Sequence, residues 1–290
     1  MSLSSGPPQA LERAQLALDR ANQTAPELAW DLLIAASGDN SPAFAPISAI
    51  KSEGGLQGDE LERLLLWHAA QQAVPRIAGL PIDASVKRML EAEVPRLWAA
   101  KEALAVGSYA FDRAAKLATL RRFPAGPMEW EISGIPRSWV LRAGLSDRLR
   151  LLACVARLGG FAPCFFMHVA PAPRNRGLSI EKQVLQAYYR MAGSLAWQPH
   201  VRALIACAWF HDPAAVKDYP HLKLLSLPYL TNGGLIVRLG PAGLDSGVVQ
   251  GNAQRKADYE AGKVQYRYGL AIWPRKDALR WAQSRPELAE

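Results

Sequence analysis

The chain has 290 residues, half of them apolar and 21% charged, with 34 Lys and Arg against 26 Asp and Glu for a net charge of +8. That is an ordinary globular balance, enough for a substantial core in one large domain or two smaller ones. The basic excess favours anionic partners, but the cations are dispersed: there is no dense Lys/Arg block with interleaved aromatics and no zinc-finger spacing, which argues against nucleic acid.

Three cysteines, Cys154, Cys164 and Cys207, are too widely spaced for a disulfide framework or a zinc site. All fall in apolar runs and read as buried reduced thiols, which suits a cytoplasmic protein. The N-terminus, MSLSSGPPQALERAQ, carries no charged-then-apolar signal. The longest apolar region, 151–173, is broken by Arg157, His168, glycines and prolines, so no membrane span is expected.

Taken in order, residues 1–8 are small, polar and Pro-rich. Leu11, Ala14, Leu18 and Ala21 recur at helical spacing. Thr24 then reads as the N-cap of a second helix carrying Leu28, Leu32 and Leu33. The stretch 38–46 is a loop. A third helix is expected at 59–73, stopped by Pro75, and a fourth at 84–106, kinked or broken at Pro95. Up to Leu120 the pattern is helical, a candidate N-terminal domain or cap over 1–120.

Composition shifts at Arg121, and RRFPAGP reads as a linker. Met128, Trp130 and Ile132 then alternate with Glu129, Glu131 and Ser133, the first clear strand. Ser146 reads as the N-cap of a helix that closes at Gly159-Gly160. An apolar run from Gly160, a basic turn, an amphipathic helix and a second apolar run, 201–209, form one unit. Further on come a short helix at 214–222, a strand at 235–239, a helix at 252–260, a strand at 265–273 and a closing helix at 277–283. The class is α+β: a helical N-terminal region, then from 121 to 290 a mixed β-sheet flanked by helices.

The turn Pro173-Arg174-Asn175-Arg176-Gly177-Leu178-Ser179 carries the most chemistry. A helix that opens after a strand presents unpaired N–H groups, which favour anions. Gly177 permits close approach to the backbone, Ser179 is placed to cap, and Arg174 and Arg176 suit phosphate oxygens. An ordinary exposed turn with a capped helix reads equally well from these residues.

Arg174-x-x-Gly177-x-Ser179 resembles the Arg/Gln-x-x-Gly-x-Gly/Ala loop of the GNAT superfamily of N-acyltransferases, departing from it at Ser179. In that family the loop follows a central strand, opens a helix, and holds the acyl-carrier diphosphate on its amides. The resemblance covers 160–222 well and 128–281 loosely, and the helical N-terminal part has no counterpart in a minimal GNAT domain. It implies that Arg174, Arg176, Gly177, Leu178 and Ser179 bind the co-substrate, acyl-CoA or an acyl-phosphopantetheine. The length and aromatic content look more like the fatty-acyl transferring members, which acylate an amine, and the basic surface suits an acidic acyl-carrier protein.

Such a transfer needs a base for the acceptor amine, which is a small molecule or a peptide, and an acid for the leaving thiolate. His168, just before the loop, suits the base, and Glu131 or Glu129 on the first strand are rivals. Tyr219, where the superfamily often places a tyrosine, suits the acid. Each has a plainer reading: a core histidine, a solvated strand face, simple packing. Amides near 166–169 would polarise the carbonyl if the strand splayed. His200, His211 and His221 with Asp212 lack metal-ligand spacing, so no metal is expected. No Gly-x-Ser-x-Gly elbow is present, so a covalent nucleophile is not expected. Tyr188, Tyr189, Arg190 and Trp197 read as core plus rim. Arg255, Tyr259, Tyr266, Tyr268 and Trp273 either line an acyl or acceptor pocket or simply pack. The alternative function is a non-catalytic docking protein for a peptide or carrier protein.

Overall fold

The computed structural model describes residues 60–97, 105–244 and 246–289. The helices expected around 11–21 and 24–33, the loop at 38–46 and the far end of the fourth helix lie outside the described residues. By its contacts the chain divides into two compact units, Met1–Leu80 with Lys87–Phe123, and Pro81–Val86 with Pro124–Glu290.

Three helices supply most of the described part of the first unit. Helix α1 spans Glu60–Ile77 and runs two residues past Pro75. Proline forbids its own hydrogen bond to the preceding turn, not helical geometry after it. Helix α2, Ala84–Glu93, stops where expected, and Pro95 falls in a 3-10 turn, Val94–Arg96. Helix α3, Tyr109–Ala118, is not singled out by the periodicity. It buries Phe111, Ala114, Leu117 and Ala118, and the Ser108 hydroxyl caps it, accepting from the Phe111 N–H at 3.2 Å. On it, Arg113 ion-pairs with Glu93.

The second unit is organised by a mixed sheet. Its six strands are β1 Arg122–Pro124, β2 Met128–Ser133, β3 Cys164–Val169, β4 Ala203–Ala208, β5 Leu235–Pro241 and β6 Arg267–Pro274, in the order β1-β2-β3-β4-β6-β5. The α+β class therefore holds. The expected linker at 121–127 contributes β1 instead. Its two prolines sit at the strand end and in the turn, where a missing N–H removes no ladder bond. Gly126 takes a positive φ of 106° in that turn, and the Ala125 N–H donates to the Met128 carbonyl at 2.8 Å.

Strands β2 and β3 are antiparallel, β3 and β4 parallel, and β6 is antiparallel to both β4 and β5. The parallel pair requires a crossover, supplied by helix α6, Glu181–Ala196. Between β2 and β3 lie α4, Arg137–Arg142, and α5, Leu145–Arg157. Gly144, not Ser146, holds the N-cap of α5, and the chain leaves it through Gly159 and Gly160 at φ 84° and 107°. After β4 come α7, Pro213–Asp218, and α8, Lys223–Thr231. Sequence reading misses α8 because Pro228 lies inside it. Helices α9, Gly247–Gln250, and α10, Ala253–Glu260, precede β6, and α11, Arg275–Gln283, follows it.

Residues opposed in register share a face of the sheet. Glu129, Glu131, Phe166, His168, Ile205, Cys207, Leu270 and Ile272 therefore share one. There Val140, Leu151, Val155 and Leu158 of the α4–α5 region pack on Ile205, Val237, Leu270 and Ile272. The opposite face carries Trp130, Phe165, Met167, Leu204 and Trp273. It is tied to α6 and α8 by the Tyr188 hydroxyl donating to the Leu225 carbonyl (2.7 Å) and Tyr229 donating to the Met167 sulfur (3.3 Å). With both faces covered, β4 reads as the unbroken apolar run ALIACA.

Just past β4, His211 is 2% exposed, with Nδ1 2.9 Å from the Ser226 hydroxyl. Gly269 of β6 passes against its backbone: a Cβ there would lie 2.5 Å from the His211 carbonyl carbon. Burial pulls the imidazole down to about 3 from the ordinary 6.5. Between those values the unfolded chain binds a proton that the folded one refuses. Stability from this group is therefore full above pH 6.5 and lost as pH falls toward 3. Denaturant titrations across that window should show stability falling by up to about 1.4 kcal/mol per pH unit. A His211→Asn variant should flatten that dependence, and an unchanged slope would assign it to other groups.

Candidate active site

Pairing between β3 and β4 runs Phe165 with Leu204, Phe166 with Ile205 and Met167 with Ala206, and stops there. Each strand continues two residues further, to Val169 and Ala208. Over those residues β3 stays with β2, His168 opposite Glu129, and β4 stays with β6, Cys207 opposite Leu270. The central strands thus part at their C-terminal ends, without a bulge. Residues 168–169 and 207–208 have no partner across this edge in the register.

His168 stands at this opening. Its ring meets Phe166 edge-on at 4.7 Å, and Nε2 lies 3.3 Å from Glu131 Oε1. Glu131 opposes Phe166 in register, so the pair is a same-face diagonal. Both side chains are largely buried, at 18% and 17% exposure, and Nε2 makes no hydrogen bond. A carboxylate beside an imidazole helps to fix where the ring lies, and an imidazole nitrogen can accept a proton from an incoming group.

Glu129 has a different role. Its side chain is fully buried and ion-paired with Arg174, so the alternating glutamates are not a solvated face. The pair pins the start of the loop to β2.

The loop differs from expectation in three ways. Arg174–Ser179 is a 3-10 turn, and α6 begins at Glu181 with Ile180 as an N-cap lacking a side-chain bond. The helix is therefore capped by Ile180 and not by Ser179. The Ser179 hydroxyl donates to the Arg176 carbonyl at 2.9 Å instead of capping. Gly177 is buried, and the space where its Cβ would stand is met by the Gln183 amide oxygen and the Pro127 side chain. The close approach that glycine permits is made by the protein itself. Arg176 is exposed.

Tyr219 sits at the end of α7, in an aromatic cluster with Trp209 (5.5 Å between centroids) and His221 (6.3 Å). Its hydroxyl is bonded to Tyr266, whose own phenol is pushed up by burial first and by that bond second. His211 is buried, whereas His200 and His221 are exposed, so the structure does not gather the three. Among the described residues no group of His, Cys, Asp or Glu is placed to hold a metal ion, and no helix is long and apolar enough to cross a membrane. Tyr188 is fully buried, Arg190 is nearly so, and Trp197 is 66% exposed, the expected core and rim. All three cysteines are free. Burial pushes the Cys207 thiol up to about 12 against the pull of Arg142.

A cavity of about 330 Å³ opens on the same sheet face. Phe166 forms one wall, so the cavity lies one ring away from His168. Trp139 and Arg142 of α4, Cys207, Leu239, Ser246 and Tyr268 also line it. Of the C-terminal aromatics, Tyr268 lines the cavity, Tyr259 and Tyr266 belong to a neighbouring core cluster, and Trp273 is buried on the other face. Arg255 lies over the Trp209 ring at 5.2 Å. Trp139, Arg142 and Ser246 carry no sequence signal, because they converge from elements more than a hundred residues apart.

Among solved structures, the chain is similar to the crystal structure of an acyltransferase in complex with decanoyl-CoA. The TM-score is 0.41 and the identity 13%, over 86% of this chain and 79% of that chain. At that TM-score the likeness argues neither fold nor activity. No protein-family model and no curated protein matches the chain.

The Glu129–Arg174 pair has an energetic consequence. Removing the cation takes an ion-pair partner from a buried carboxylate, a loss on the order of 3 kcal/mol. Arg174→Ala should therefore lower the denaturation midpoint strongly. Arg176→Ala, at an exposed position, should change it by less than about 0.5 kcal/mol. Equal effects in chemical denaturation would refute the anchoring role.

Proposed function

We propose that the chain transfers an acyl group from an acyl-thioester carrier, acyl-CoA or an acyl-carrier protein, to an amine. The observation that carries the reading is the parting of β3 and β4 beside a His168–Glu131 pair. A thioester inserted there meets backbone groups outside the ladder and a base on the adjacent wall. The GNAT-like spacing of Arg174, Gly177 and Ser179 supports the same placement, as does the strand-loop-helix-strand order around it.

In this reading His168 takes the proton from the amine, and Glu131 holds the imidazole in position. The amine nitrogen attacks the carbonyl carbon, the C–S bond breaks, and the thiolate leaves as a thiol, with Tyr219 as the candidate acid. Cys207, kept neutral by burial, is a poor nucleophile, so transfer is direct. Arg176 is the exposed cation for the carrier's phosphates, alongside the amides of Gly177, Leu178 and Ser179. Gln183 must swing aside for a phosphate to reach Gly177. Arg174 contributes by fixing the loop through Glu129.

A second reading has its own observation. Gln183 over Gly177 and Glu129 on Arg174 both occupy groups the carrier would use, which favours a docking protein that binds without reacting.

Thermal-shift assays with acyl-CoAs of graded length and with acylated carrier protein should show a rise, because a ligand that binds only the folded state stabilises it. Arg176→Ala should shrink that rise. Mass spectrometry of reactions with amine mixtures should detect amides, and His168→Gln should cut the rate by about 10²–10⁴-fold while leaving the thermal shift intact. A shift with no amide at any acceptor would leave the docking reading in its place. No shift with either donor would remove both.

A further inference from the structure

The cavity on the α4 side of the sheet has a polar composition that the acyl-transfer step does not use. One end holds the Arg142 guanidinium, exposed at the mouth and near enough to the Cys207 sulfur to pull against its burial. Nearby is the hydroxyl of Ser246, a residue only 9% exposed. That hydroxyl is buried without a hydrogen-bond partner. The remaining walls are the rings of Trp139, Phe166 and Tyr268 and the side chain of Leu239. Arg142 is the one charged side chain in this lining.

A buried hydroxyl left unpaired costs the fold free energy unless a ligand supplies the partner. A hydrocarbon chain would seal that hydroxyl in. A cationic ligand would meet Arg142. A carboxylate accepts from both groups, and charge-assisted hydrogen bonds to guanidinium are the strong kind. The cavity volume, about 330 Å³, sits at the small end of ligand sites and suits a body about the size of one ring and its side chain.

We infer that this cavity binds a small molecule with an apolar or aromatic body and a carboxylate, the acid lying between Arg142 and Ser246. Resting on the acyl-transfer reading, this ligand is the acceptor: an amine that also bears a carboxylate, as an apolar α-amino acid does. Its nitrogen forms the bond to the thioester carbonyl as the C–S bond breaks. The proton it loses passes to His168, one ring beyond Phe166, and the departing thiolate takes up a proton to leave as the free thiol.

The test is isothermal titration calorimetry of the full chain with 3-phenylpropionate, L-phenylalanine and phenethylamine, no acyl donor being present. The two carboxylates should bind, and phenethylamine should bind at least roughly tenfold more weakly. Arg142→Gln should weaken the carboxylates about tenfold, and Ser246→Ala several-fold. Neither change should lower the melting temperature, since one side chain is exposed and the other hydroxyl has no partner to lose. Absence of binding by both carboxylates, equal binding of phenethylamine, or indifference to Arg142→Gln would overturn the assignment. Because the titration needs no donor, selective binding without amide formation would count against acyl transfer alone. Amide formation from acceptors that do not compete with 3-phenylpropionate would count against this cavity alone.

Discussion

A carboxylate with no exposed surface must be answered by a cation, and in this fold the demand of Glu129 is met by Arg174. Much of the site's geometry follows. Glu129 lies on β2, one strand in from the sheet edge formed by β1, and opposite His168 on β3. Arg174 lies five residues beyond the end of β3. Their pairing holds the start of the loop against β2 just beyond the end of β3. A lone buried carboxylate would be prohibitively expensive, and an ion pair is a fair exchange only when its geometry is fixed. The pair is thus better understood as a device of position than as a source of net stability.

The two faces of the sheet divide the work. On one, Trp130, Phe165, Tyr188, Tyr229 and Trp273 pack densely under α6, α8 and α11, and their polar atoms are largely spent inside the core. On the other, the core beneath α4 and α5 is aliphatic near β5 and β6 and gives way to a cavity near Phe166 and Cys207. A rigid back wall and an unfilled front are what a binding site on a sheet requires, since groups on strands hold their spacing better than groups on loops.

Much of this was readable in the residues. The alternation at 128–133 marks β2 to its ends, and the apolar runs around Cys164 and Ala203 mark the two central strands. What misleads is the meaning of the alternation. Glu-x-Glu in a strand reads as a wet face, yet Glu129 and Glu131 lie under covered structure, one paired with Arg174 and the other beside His168. Period-two patterning reports which residues share a face and not whether that face meets water. Prolines mislead in a similar way: Pro124 hides β1, at whose end its missing N–H is tolerated, and Pro228 hides α8 although it lies inside the helix. The cap expected at Ser179 illustrates a third limit. The spacing of Arg174, Gly177 and Ser179 is a statement about the chain, whereas Gln183 filling the space over Gly177 is a statement about the fold.

The chemistry open to this site is narrowed by what burial does to each reactive group. Cys207 is the thiol nearest the opening, and with its pKa raised to about 12 it stays protonated at neutral pH. A path through a covalent thioester on it would need a base able to ionise it, and Arg142 supplies only a weak opposing pull. His211 is a neutral imidazole, buried and held by Ser226. That leaves His168, whose Nε2 lies against the Glu131 carboxylate without making a hydrogen bond. In the proposed reading this imidazole takes the proton of the incoming group, and Phe166 meets its ring edge-on. Direct attack by an externally bound nucleophile is the mechanism that asks least of this arrangement. It requires that nucleophile to be held on the Phe166 side, where the sheet provides space and a cation.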